Sequence, residues 1–240
     1  MSSSVLSVDD RSTLLVLATA AVVSFVAGFF FPPPDGPRVG QADAAEVRRW
    51  VETNSGALHV SATALLLAAV GFLVLAAGLS ALVRRHVRGS MLSELLVGGT
   101  VVVVVLLILD TAAQTMSLLL PGLVDTDLAE VSDPVVVTWL AIGGFAHFLG
   151  DLQMAFVAVV LASGSLAALR LQLVNRWWCY LGFVLAACAV LGTLGITLSV
   201  AALYPLWFVG IYGFYLSLLV LGGSATLAWR RLGRQPDSAV

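Results

Sequence analysis

Polar residues fall along this chain in short clusters, separated by apolar runs too long for the elements of a water-soluble core. Six runs stand out, at about 13–31, 56–83, 91–120, 134–169, 177–201 and 206–229. Each is close to or above the roughly 20 residues that carry a helix across about 30 Å of hydrocarbon. The stretch Thr100–Val105 is rich in β-branched residues, yet lipid favours helix there, because a spanning segment must satisfy its own backbone groups. The pattern predicts an all-α, polytopic integral membrane protein. A six-transmembrane-helix bundle occupies residues 13–229, with polar segments 1–12 and 230–240 outside it.

The polar clusters punctuate these runs. Pro32-Pro33-Pro34-Asp35-Gly36-Pro37 stops the first span abruptly. No A-x-A site precedes Pro32, so that span reads as an uncleaved anchor rather than a signal peptide. Asp43–Asn54 places Val47, Trp50 and Val51 at helical spacing. It is either a short helix on the membrane surface or the first turns of span two. Arg84, Arg85, His86 and Arg88 close span two, and His86 reads as topology charge or a lipid contact. Pro121-Gly122 is expected to end span three.

The next loop holds Asp125, Asp127, Glu130 and Asp133. Their spacing matches no calcium-binding EF-hand. They read as a solvated loop, with a capping box at Asp127/Glu130 and with Asp133-Pro134 at N-cap and N1 of the next helix. Span four would be about 50 Å long if straight, so it must tilt, protrude, or bend near Gly143-Gly144. Rows of small residues predict close helix contacts: Ala20/Ser24/Gly28, Gly182/Ala186/Ala189/Thr193 and Gly213/Ser217.

Composition agrees with a membrane protein. The chain is 60% hydrophobic and 11% charged, with mean hydropathy +1.01, whereas soluble domains carry about 25% charged residues. All 12 basic residues are arginine. This usage points to a GC-rich coding sequence and a bacterial origin, and it excludes Schiff-base chemistry on lysine, retinal binding included. With a net charge of −2 and no basic tract, no nucleic-acid partner is implied. Cys179 and Cys188 lie about 13 Å apart along one helix, too far to bridge.

Arginine placement sets the expected orientation. Arg11, Arg84, Arg85, Arg88, Arg170, Arg176, Arg230, Arg231 and Arg234 fall on one side of a six-span layout, and Arg38, Arg48 and Arg49 on the other. The positive-inside rule puts both termini in the cytoplasm, in a bacterial inner membrane. Trp50, Trp139 and Trp207 would mark the outer interface, and Trp177, Trp178 and Trp229 the inner one.

Candidate chemistry is confined to spans two to four. Asp110 and Gln114 sit four residues apart in span three, as do His147 and Asp151 in span four, so each pair shares a helix face. Counting from Pro121 and Trp139 puts Asp110 about 16 Å, and Asp151 about 18 Å, below the outer boundary. Ionisable groups at such depth need a partner or a role. A cluster of Asp110, Gln114, His147 and Asp151, with His59 as a further member, could lock two helices together, move protons or a cation, or hold a divalent metal. No zinc motif, nucleophile elbow, Walker loop or dinucleotide fingerprint is present, so no cofactor is implied.

The stretches FPPPDG, ADAAEVRRWVETN with a following RR stop, and NRWWCYLGFVLAA together resemble the uncharacterised six-helix bacterial membrane protein family called domain of unknown function 4386. The resemblance implies six helices and no activity. The leading expectation is a non-enzymatic membrane protein, structural or accessory to a membrane partner or to another copy of itself. A proton-linked transporter or sensor, and a metal-dependent membrane enzyme, are the alternatives.

Overall fold

A computed structural model describes residues 6–38, 40–87, 91–124 and 128–234, the side chains of 114 and 116–124 excepted. Its long elements are α1 (Arg11–Phe30), α2 (Ala44–His86), α3 (Leu92–Val124), α4 (Asp133–Arg170), α5 (Arg176–Thr197) and α6 (Tyr204–Leu232). All six are long and apolar enough to cross a membrane. No strand occurs among the described residues, and the chain is an all-α membrane bundle.

The helices form a closed ring. Each packs on its neighbours in sequence, α6 returns to α1, and α2 also touches α4 across the centre. Small residues set the contacts. A Cβ on Gly71 of α2 would fall on the Ser24 hydroxyl of α1, and one on Gly210 of α6 would meet Ala189 of α5 at 2.9 Å. Buried Leu, Val, Ala and Phe from all six helices fill the centre. Neighbouring helices run antiparallel, so the start of α1 and the end of α6 lie at one end of the bundle, the proximal end. Arg11 stacks there over the Trp229 ring at 5.0 Å.

The proximal end is also stapled by charge. Asp10, 1% exposed, accepts from His86 Nε2 at 2.7 Å, Arg85 at 3.1 Å and the Ser7 amide at 3.0 Å. His86 is therefore a hydrogen-bond partner of the α1 entry rather than a free topology charge or lipid contact. Nearby, Arg84 donates to Ser93 Oγ, which is 2.6 Å from Ser80 Oγ.

At the opposite, distal end the helices are unequal. α1 has 20 residues and α5 has 22, about 30 and 33 Å, which matches one hydrocarbon thickness. α2 has 43, α3 has 33 and α4 has 38, and these three project further. Asp43–Asn54 is thus no separate surface helix. α2 starts at Ala44, with the Asp43 carboxylate capping the Glu46 amide at 2.8 Å. α3 continues through Pro121-Gly122 to Val124, because a missing N–H in the last turns weakens a helix without forcing it to stop.

α4 begins one residue earlier than expected, with Ser132 rather than Asp133 at the N-cap. Asp125 and Asp127 lie outside the described residues. The projection has its own small core, in which Val47 and Val51 of α2 meet Val136 of α4. Arg48 ties it to the α3–α4 connection through the Leu128 and Val131 carbonyls and, at 2.7 Å, Asp133.

Candidate functional site

The α3–α4 contact brings Asp110 and His147 together. His147 Nδ1 lies 3.9 Å from Asp110 Oδ1, with the carboxylate side chain 15% and the imidazole 66% exposed. The approach depends on Gly150, where a Cβ would stand 3.2 Å from Asp110 Oδ2. A Cβ there would make the carboxylate give way by a few tenths of an ångström, and a branched side chain by more. Gly143 makes only an ordinary contact, with the Ala113 carbonyl 3.8 Å from where a Cβ would stand.

Asp151 lies one turn on, close enough for its charge to feel both His147 and Asp110. Its backbone carbonyl accepts from the Trp207 indole at 3.4 Å. The Gln114 side chain lies outside the described ones. His59 does not join. It is exposed, and its Nδ1 donates to the Ser55 carbonyl of its own helix at 2.8 Å. Among the described residues no three His, Cys, Asp or Glu side chains converge as a metal site would require.

The level of the pair differs from the sequence count. Pro33, just past the end of α1, lies against Leu58, Ser61, Thr111 and Thr115. Asp110 precedes Thr111 by one residue, so it stands level with the end of α1 and not deep within the span. The Trp207–Asp151 contact agrees, since Trp207 is in the first turn of α6. The count took Pro121 as the end of the span, whereas α3 carries on past it to Val124.

Above the pair is a half-open cavity of about 390 Å³. Its floor is His147 with Gly143 and Gly144. Its walls are Trp139 and Leu140 of α4 and Val47, Trp50 and Val51 of α2, and the Pro33–Pro37 segment closes one side. The Trp50 indole donates to the Asp35 carbonyl at 2.8 Å and so holds that segment in place. Trp50 and Trp139, expected as interfacial anchors, serve here as cavity walls. The sequence signal for the cavity was the proline run beside a tryptophan at helical spacing, but nothing local linked either to His147.

Chemically, the arrangement is an apolar, aromatic pocket ending on an imidazole whose Nδ1 side faces a carboxylate. That leaves the Nε2 side for a ligand. Below the pair the α3–α4 contact is apolar and closed, with Val103, Val104, Met154, Val157 and Leu161 all at or below 5% exposure. No protein-family model, curated protein or solved structure matches this chain.

Proposed function

We propose that this is an inner-membrane protein of bacterial type that binds a small organic cation at its extracytoplasmic end, as a sensor or accessory subunit rather than a conduit. Both termini are cytoplasmic in this reading. The arginine bias supports that orientation, since the proximal end carries Arg11, Arg84, Arg85, Arg170, Arg176, Arg230 and Arg231. The resemblance to the six-helix family of unknown function fits this layout and adds no activity.

The observation that carries the proposal is the 390 Å³ cavity ending on His147, 3.9 Å from Asp110. Its volume lies within the range of small-molecule sites. The sign of the ligand follows from the surrounding charge. The described distal segments hold six acids, Asp35, Asp43, Glu46, Glu52, Glu130 and Asp133, against Arg38, Arg48 and Arg49. A field of that sign concentrates cations at the mouth, and Trp50 and Trp139 offer aromatic faces to an alkylammonium group.

The closely packed Val103, Val104, Met154, Val157 and Leu161 beneath the pair support reception over transport, because these side chains offer a cation no polar partner. A second membrane protein, or a second copy of this chain, would then read the occupied state. The test is tryptophan fluorescence of the purified protein titrated with benzyltrimethylammonium, using benzoate as the anionic control. Saturable binding of the cation, weakened by Asp110→Asn and absent for benzoate, is the expected result. No saturable response to the cation, or an equal response to benzoate, defeats the proposal.

A further inference from the structure

Inside the proximal half of the ring, two adjoining hollows of about 80 and 30 Å³ share Leu75, Leu96, Val160, Phe214 and Leu218. Thr100 of α3 lines the smaller one. It is 3% exposed, and its hydroxyl has no hydrogen-bond partner. This departs from the habit of the other helical threonines. Thr111 and Thr115, in the same helix, return their O–H to the Leu107 and Thr111 carbonyls, and Thr193 and Thr226 do likewise in α5 and α6. A buried hydroxyl left unpaired is unfavourable.

Water is a poor remedy. The smaller hollow has room for one molecule, but a buried water is held by two to four polar partners. Among the described residues lining that hollow, Thr100 is the single polar side chain. The group that satisfies the hydroxyl must bring its own apolar body, for which the larger hollow is already shaped.

We propose that these hollows bind a small apolar molecule bearing one hydrogen-bond acceptor, a carbonyl or ether oxygen, with Thr100 Oγ1 as the donor. Together these half-open hollows hold about 110 Å³, somewhat less than an apolar cavity of about 150 Å³ that takes benzene. The ligand therefore has about five or six heavy atoms. It enters from the membrane leaflet at the proximal end, because Val174 and the half-exposed Trp178, at the α4–α5 turn, line the larger hollow. This site is independent of the distal cavity and of any role given to His147.

The test uses the full-length protein in lipid nanodiscs, with cyclopentanone as probe and cyclopentane as its hydrocarbon counterpart, read by saturation-transfer NMR against empty nanodiscs. Cyclopentanone is expected to bind the wild type and Thr100→Ser. It should bind about fivefold more weakly to Thr100→Val, the equivalent of one ordinary hydrogen bond. Cyclopentane should not distinguish the three proteins. Without probe, Thr100→Val is expected to melt higher than the wild type, since it removes an unpaired hydroxyl. The proposal is overturned if cyclopentanone binds Thr100→Val as well as wild type, if it gives no signal above empty nanodiscs, or if Thr100→Val melts lower.

Discussion

Asp10 and Asp110 are carboxylates in opposite circumstances, and their substitutions should differ accordingly. Asp10 is closed from solvent and accepts from Ser7, Arg85 and His86. Removing a buried, multiply bonded acceptor strands its donors, so Asp10→Ala is expected to lower stability by about 1–3 kcal/mol. Arg85→Ala should cost less than about 1 kcal/mol, because Arg85 is 53% exposed and regains water. Denaturant unfolding in micelles measures both, and equal losses would show that the pair does not act as a buried anchor. Asp110 and His147 form a loose pair with an exposed imidazole. Their coupling in a double-mutant cycle should stay below about 1 kcal/mol, while Gly150→Val, by displacing the carboxylate, should weaken the proposed cation binding to the extent expected of Asp110→Asn. The Asp110–His147 pairing was legible from two polar residues on consecutive, antiparallel spans. The Asp10–His86 pairing joins residues 76 positions apart, and no spacing rule reaches that far.

Among the helices, glycine positions separate packing from tolerance. A Cβ on Gly192 of α5 would fall on the backbone of Trp207, whereas Gly98 of α3 and Gly223 of α6 have nothing within 4 Å. Backbone cannot rotate aside as a side chain can, so Gly192→Ala should lower stability by about 1–3 kcal/mol through overpacking. Gly98→Ala and Gly223→Ala should be neutral or stabilising by up to about 1 kcal/mol, from helix propensity. Thermal melts of the three variants check this, and a stable Gly192→Ala would show that α5 and α6 are further apart. Ser24 and Ala189, which meet Gly71 and Gly210, lie in small-residue rows that were readable directly, because close approach in lipid demands them; Gly192 lies in none of those rows. Helix ends were less readable. Proline at residue 121 and the polar stretch after Asp43 are stop signals in water-exposed chain, and both were overridden where three helices support one another beyond the others. That support comes from Val47, Val51 and Val136 and from the Arg48 staple, partners that only the tertiary arrangement supplies.

For the molecule as a whole, the unequal helix lengths decide where the membrane ends and therefore what His147 can meet. If the boundary lay near Pro121, the imidazole would sit in hydrocarbon and its partners would have to be protein groups. If α1 and α5, each matching one hydrocarbon thickness, mark its extent, the boundary falls at Phe30 and Thr197. Asp110 and His147 then stand at the interface, beneath about 20 Å of projecting helix, taken from Ala44 to Leu58 of α2 at 1.5 Å per residue. The number of spans was evident from hydropathy alone, but their relative depth was not, since hydropathy registers how long an apolar run is and not which neighbour it is level with. Cysteine labelling of intact cells tests the level and the orientation together. In a background with Cys179 and Cys188 replaced by alanine, Arg49→Cys and His147→Cys should react with a membrane-impermeant maleimide added outside, and Arg231→Cys only after permeabilisation. Labelling of Arg49→Cys without His147→Cys would return the pair to the hydrocarbon and remove the cation site. Labelling of Arg231→Cys from outside would invert the protein and place the acidic cavity in the cytoplasm.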